Sequence, residues 1–302
     1  MPVMVLAVLV TVIVAVVIPI VTDSYVQSLG LTLLMYVTLA LSWNLIGGFA
    51  GYFSFGHVGY FGLGAYAGAL CIVNLGWPWF AAAFFAALVT AAFATVIGFA
   101  SLRIKGPAFA IVTLAACQAL RILVYIFDKH TGGGSGLSLP PIRSLVPVYF
   151  AFAAAAAIAL AVTWRIAGSQ FGIHLKAIRD DELAAEAIGI DTAREKLKAF
   201  VLSTVLPGFC GAIYAWYLSY IHPEEVFSLR INVSMIVMAL LGGAGTIFGP
   251  IIGAMLVFGV SELLWARFPV LHQLVFGVAL MLLVLFLPGG LIGQLKRVRA
   301  SG

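Results

Sequence analysis

Long apolar runs separated by short polar breaks dominate the chain, and a helix needs about twenty such residues to cross a bilayer. The runs cover roughly 3–21, 29–47, 56–75, 79–101, 107–127, 147–166, 198–219, 231–242, 247–265 and 271–288. They predict an all-α polytopic membrane protein with 8–10 transmembrane helices, and ten settles the charge pattern best. Arg103, Lys105, Lys176, Arg179, Arg194, Lys196, Lys198, Lys296, Arg297 and Arg299 then share one side. The positive-inside rule makes that side, and both termini, cytoplasmic. Lys129, Arg143 and Arg230 fall on the other side and follow the rule imperfectly. The first run has the length of an uncleaved span and lacks the basic start of a signal peptide.

Glycine interrupts two of these runs. Residues 44–69, "NLIGGFAGYFSFGHVGYFGLGAYAGA", hold eight glycines in twenty-six positions. "LLGGAGTIFGPIIGAMLVFG" repeats the same L-[IL]-G-G opening near the C-terminal end. In membranes small residues let helix backbones approach closely, which suits Gly56, Gly59, Gly62, Gly64 and Gly68. Gly47, Gly48 and Gly51, with Gly242, Gly243 and Gly245 as their counterparts, read instead as hinges or breaks. Exposed backbone at such a break must be satisfied by protein or cavity water. Paired broken segments point to an internal duplication and a translocation path; a similarity of composition alone is the plainer explanation.

The charged residues collect in one place. Residues 168–198 carry 11 of the chain's 27 charged side chains, of both signs. From Leu175 to Ile188 the spacing predicts one amphipathic helix, stopped by Gly189. Leu175, Ile178, Ala185 and Ile188 would form its apolar face, along with Leu183 and Ala187. Arg179, Asp180, Asp181 and Glu182 would stand on its polar rim. Such a helix is either a solvated linker lying on the membrane or a docking helix for a cytoplasmic partner.

Composition fits this picture. The 302 residues are 63% hydrophobic and 9% charged, with mean hydropathy +1.15, whereas globular domains carry about 25% charged residues. The net charge of +5 follows membrane topology, so no nucleic-acid partner is expected. Cys71, Cys117 and Cys210 lie far apart in apolar runs without metal-ligand spacing. No metal site or cofactor is expected. "TGGGSG" (131–136) lacks the ending of a phosphate loop and reads as a flexible outward loop or a plain connector. Polar groups within spans are costly and often functional. Asn44, Ser54, His57 and Gln118 are the candidates for a translocation path, and His57 stands beside the glycine-rich break. Arg121, Glu262 and His272 are also intramembrane; Arg121 and Glu262 could pair with each other. A proton- or sodium-coupled transporter would have only Glu262 as a carboxylate inside a span, and no catalytic arrangement supports an intramembrane enzyme.

The motifs "NLIGGFAGYFSFGHVGYFGLGAYAGA", "KGPAFAIVTLA", "TGGGSGL", "HLKAIRDDELAAEAIGIDTAREKLKAF", "ALLGGAGTIFGPIIGA" and "LFLPGGLIG" occur in this order. Over about residues 40–293 the chain resembles the membrane subunit of a bacterial ATP-binding-cassette importer, the branched-chain amino acid permease of the LivM type. The resemblance implies a single permease domain (1–302) in the bacterial inner membrane, with a cytoplasmic coupling loop at 168–198. It also implies two cytoplasmic ATPase subunits, a homologous second permease subunit and an external substrate-binding protein. "AIRDDELAAEAIGI" resembles the coupling region, which assigns ATPase coupling to Lys176, Arg179, Asp180, Asp181, Glu182 and Glu186. The leucine–proline pair of the general importer loop departs from that pattern, because Leu206 and Pro207 sit inside the next span. Relatives with similar motifs carry urea or short amides, so the resemblance implies a branched-chain amino acid, or a related small polar solute such as urea or a short amide, as the expected substrate.

Overall fold

The computed structural model describes residues 23–104, 106–267 and 277–278. The expected spans 3–21 and 271–288 (apart from positions 277–278), Lys105, His272 and the terminal cluster Lys296, Arg297 and Arg299 lie outside the described residues. All eight other expected spans are helices: α1 (Ser24–Asn44), α2 (His57–Leu75), α3 (Trp79–Ser101), α4 (Pro107–Ile126), α6 (Val146–Ala167), α9 (Thr192–Leu218), α11 (Leu229–Gly243) and α12 (Gly249–Arg267). Seven described helical segments are long and apolar enough to cross a membrane, and Gly249–Leu264 is a shorter apolar helix. Four short helices complete the set: α5 (Asp128–Thr131), α7 (Gln170–Asp180), α8 (Glu182–Ala187) and α10 (Pro223–Val226).

Local chemistry sets the boundaries. Pro107 occupies the first turn of α4, where its missing N–H costs nothing. The Asp191 carboxylate caps α9 by accepting from Arg194 N. Gly76, at φ 64°, closes α2.

Helix α9 is the central post, packed on α2 and α3, while α1 packs on α6, α9, α11 and α12. Helices α2 and α9 cross closely. A Cβ on Gly64 would collide with the Gly208 carbonyl, and one on Gly211 with the Phe61 carbonyl. The glycines at this crossing therefore do what membrane packing demands, since no hydrophobic drive joins helices within lipid. Cys71, Cys117 and Cys210 are buried free thiols.

Basic side chains gather at one end, where the α3 terminus, α7, α8 and the start of α9 meet. At the opposite end "TGGGSG" is not a free loop. Thr131 Oγ1 donates to Val124 O at 2.6 Å, Tyr220 donates to Ser135 O at 2.8 Å, and His222 Nε2 donates to Gly134 O at 3.0 Å. A two-residue antiparallel ladder pairs Leu137 with Ile221 and Ser138 with Tyr220. Arg121 pairs with Glu224 at 3.0 Å rather than with Glu262, because α10 rests against α4.

Candidate functional site: two broken helices beneath a charged helix pair

Helix α1 ends in a π-helical turn, Leu45–Phe49, and irregular, mostly buried backbone with an exposed Phe53 follows to Gly56. Gly51 turns the chain at φ 75°, a conformation costly for a residue with a Cβ. The second glycine-rich run behaves alike: α11 stops at Gly243, Gly245 takes φ 74°, and α12 begins at Gly249. Each run is therefore helix, break, helix.

The two breaks hold each other through reciprocal asparagines. Asn44 on α1 reads the second break, its Oδ1 accepting from Gly245 N at 2.8 Å and its Nδ2 donating to Thr246 O at 2.9 Å. Asn232 on α11 reads the first, its Nδ2 donating to Phe55 O at 2.7 Å while its Oδ1 accepts from Val58 N at 3.4 Å. Buried backbone without a partner is costly, and the neighbours supply the other bonds. Trp43 Nε1 donates to Ser54 O at 2.8 Å, and Phe55 N donates to Thr113 Oγ1 at 3.1 Å. Ser203 Oγ donates to Phe200 O, which leaves it to accept from His57 Nε2 at 2.9 Å. His57 Nδ1 then accepts from Ser54 Oγ at 3.1 Å. His57 thus ties the first break to α9.

Asn44, Ser54 and His57 are therefore brought together, all fully buried, as supports of the break. Gln118 stands apart, half-buried on α4.

The charged segment is not one helix. Asp181 takes extended backbone, and its carboxylate caps α8 by accepting from Leu183 N at 2.9 Å and Ala184 N at 3.1 Å. Aspartate competes for backbone donors and favours such caps over helix interiors, so the expected helix 175–188 divides into α7 and α8. Leu175, Ile178 and Ala185 are buried as expected, whereas Leu183 and Ile188 are 69% and 76% exposed. Glu182 leaves the polar rim assigned to it. It pairs with Lys196 Nζ at 2.7 Å, with side chains only 12% and 5% exposed. Lys196 also donates to Leu102 O at 3.2 Å and Tyr52 Oη at 3.1 Å, and Tyr52 donates to Glu182. Burial, then the Glu182 carboxylate, pushes the Tyr52 phenol well above its usual range and keeps it a donor. Glu186 accepts from Thr192 Oγ1 at 2.7 Å, Lys176 lies 5.9 Å from the Phe49 ring centroid, and Asp180 is 73% exposed.

Arg179 joins the two halves of the site. Its guanidinium donates to Gly48 O at 3.1 Å, where a terminal carbonyl favours a cation. The same guanidinium lies against Gly245, and its stem lies against Gly51. A cavity of about 450 Å³ opens beside it, with Phe53, Phe55, Pro107, Ala110 and Ile178 on apolar walls and Arg179 and Glu182 among the polar lining.

The sequence profile described as branched-chain amino acid transport system / permease component matches residues 25–285. The chain belongs to this permease family. The high-affinity branched-chain amino acid transport system permease protein LivM of Salmonella typhimurium is 28% identical over 290 residues, covering 86% of this chain and 68% of its own. The corresponding LivH protein of Escherichia coli is 24% identical over 284 residues, covering 86% and 91%. A solved metal-chelate type ABC transporter, in an inward-facing conformation, aligns over 86% of this chain and 85% of its own at 19% identity with a TM-score of 0.49.

As a member of a permease family the protein is a membrane transport component, not an enzyme. Several of this permease's site residues escape a reading by position in the sequence. Asn232 carried a usable signal, an amide inside an apolar span. Lys196 looked like one more cytoplasmic charge, and Tyr52, Thr113 and Ser203 gave none.

Proposed function

We propose that this permease moves branched-chain amino acids through the bacterial plasma membrane as one subunit of an ATP-driven importer. The charged end faces the cytoplasm, as do both termini. Two ATPase subunits dock on α7 and α8, a homologous permease completes the path, and an external binding protein delivers the solute. Arg179 carries this reading: one side chain on an exposed helix pair holds Gly48 O and touches Gly245. A push on α7 therefore acts on both breaks at once. A ligand shifts a conformational equilibrium only through contacts that differ between states, and the Arg179–Gly48 bond is a contact that can differ. Asn44, Ser54 and His57 support the wall of the path, and Gln118 belongs to the α4 face.

The cavity beside Arg179 favours a branched-chain substrate over urea or a short amide, because its walls are largely apolar and urea has no apolar surface to match them. Leucine uptake into proteoliposomes carrying the complete importer should be displaced by valine and isoleucine and not by excess urea. Displacement by urea would overturn that choice.

Two variants test the docking. Arg179→Ala should preserve assembly and ATP hydrolysis while leucine uptake per ATP falls about tenfold, a typical coupling of 1–3 kcal/mol. Uptake per ATP equal to wild type would remove Arg179 from the coupling path. Leu183→Asp places a charge on the exposed apolar turn of α8 and should weaken recovery of the ATPase subunits about thirtyfold, the scale of a hot-spot residue. Undiminished recovery would place the ATPase contact elsewhere.

A further inference from the structure

We infer that His174 is a proton-dependent clasp that fastens α7 to α9. Its effect on uptake rests on the reading of α7 as the coupling helix, while the clasp itself rests on geometry. Glu195 lies in the first turn of α9, where the helix dipole favours a carboxylate. Its side chain is only 13% exposed, and Oε1 accepts from Lys198 Nζ at 3.0 Å. Oε2 is enclosed and receives no hydrogen bond among the described residues. An enclosed carboxylate oxygen without a donor is costly and calls for one. The group facing it is the His174 ring of α7, whose Nδ1 stands 3.8 Å away. That spacing is too long for a hydrogen bond, and about 1 Å of side-chain movement would make it a charge-assisted one.

Imidazole is the side chain that changes charge between about pH 5 and pH 8. In the neutral ring only one nitrogen carries a proton, whereas the imidazolium donates from both. Protonation therefore places a donor and a positive charge on Nδ1 opposite Oε2, whichever tautomer the neutral ring adopts. The His174 side chain is 35% exposed, so solvent protons reach the ring. The other charged groups on the elements packed around α7 are engaged elsewhere. On α9, Lys198 answers Oε1 and Arg194 pairs with Asp191. The Lys198 ammonium is 61% exposed, where water and salt screen its repulsion of an imidazolium. On α8, Glu182 pairs with Lys196 and Glu186 accepts from Thr192. On α7 itself, Lys176 lies by the Phe49 ring, Arg179 holds Gly48 O, and Asp180 stands beside Arg179. Helix α3 brings the uncharged Thr95 to this face, and the exposed Arg165 of α6 does not line it.

A group that gains a partner when protonated contributes stability at low pH and loses it as the pH rises. Acid therefore pins α7 to α9, and a more alkaline medium releases it. Arg179 lies about 7.5 Å further along α7, at roughly 1.5 Å per residue. Pinning the helix at His174 thus restrains the guanidinium that holds Gly48 O. Uptake should fall as the side facing α7 acidifies, because the contact that must change during transport is held in place.

The test uses the complete importer in lipid nanodiscs. Hydrogen–deuterium exchange of peptides covering 170–180 is followed at about pH 6 and about pH 8, either side of the imidazole range, with intrinsic exchange rates divided out. Wild-type protection should be about fivefold greater at the lower pH, the upper scale for a half-exposed ion pair. His174→Gln and Glu195→Gln should each abolish the difference. His174→Lys, a permanent cation, should give high protection at both pH values. In proteoliposomes, wild-type leucine uptake per ATP should be about fivefold lower at the acid pH, and His174→Gln should not respond. Equal wild-type protection at the two pH values, or a response that survives either Gln substitution, would overturn the inference. Protection that follows pH while uptake per ATP does not would support the clasp and remove α7 from the coupling path. Failure of the clasp would leave the transport reading untouched, since that rests on Arg179, α8 and the breaks.

Discussion

Lys196→Met is expected to prevent accumulation of a folded permease. The Lys196 ammonium is 5% exposed and answers Glu182, Tyr52 and the Leu102 carbonyl together. A thioether of similar length fills the space but takes the Lys196 ammonium away from the Glu182 carboxylate, the Tyr52 hydroxyl and the Leu102 carbonyl. Removing one partner of a buried pair costs about 3–5 kcal/mol, a large share of the roughly 5–15 kcal/mol that holds an ordinary domain together. The double variant Lys196→Met/Glu182→Gln should recover most of the loss, because the charge that Lys196 answered is removed with it and Gln can still accept from Tyr52. Detergent-phase thermal melting with size-exclusion profiles checks both proteins. A single variant that melts like wild type would show that the Lys196–Glu182 pair does not hold the fold. The cluster fastens α8 to α9, to the α3 terminus and, through Tyr52, to the first break.

Gly48→Ala should cost about 2–4 kcal/mol and lower uptake at least tenfold. The new methyl would collide with the Asn44 carboxamide and with Gly245 N, so Asn44 must release the second break. Gly245 N and Thr246 O then lose their partners, at about 1–3 kcal/mol for each buried group left unsatisfied. Asn44→Leu removes the same two bonds without the collision and should reproduce most of the effect. Gly259→Ala is the matched control: its Cβ would meet nothing within 4 Å, and alanine is the better helix former. Uptake and melting temperature measured on the three variants decide the matter. Normal uptake by Gly48→Ala would mean that the breaks can separate during transport without loss, and the clasp would have no mechanical role.

Much of this architecture is legible in one dimension. Apolar run length located every described span, because a bilayer imposes one length on every crossing helix. Glycine density located both breaks and the α2 side of the α2–α9 crossing, since only the absence of a side chain permits such approach. Gly189, at φ 90°, lies just past the end of α8, where its position predicted a helix stop. The reading went astray where a side chain could serve two purposes. Asp181 looked like a surface charge in a continuous helix and is a cap; Glu182 looked like its neighbour and faces inward. One peptide's rotation separates those fates, and hydrophobic periodicity is blind to it because Glu182 is polar on either reading.

What the amino-acid order determined alone is therefore the class of solvent, the place of the eight long described helices, and where the backbone must break. These follow from local quantities: run length, glycine content and the clustering of charge. Which groups answer one another was decided by the tertiary structure. Asn44 meets Gly245 across some two hundred residues, Asn232 meets Phe55, and Arg179 reaches Gly48. Hydrogen bonds and ion pairs act over about 3 Å, and separation along a chain carries no information at that range once helices cross. The path from an exposed charged helix to two broken ones exists only after α1, α7, α9 and α11 have packed.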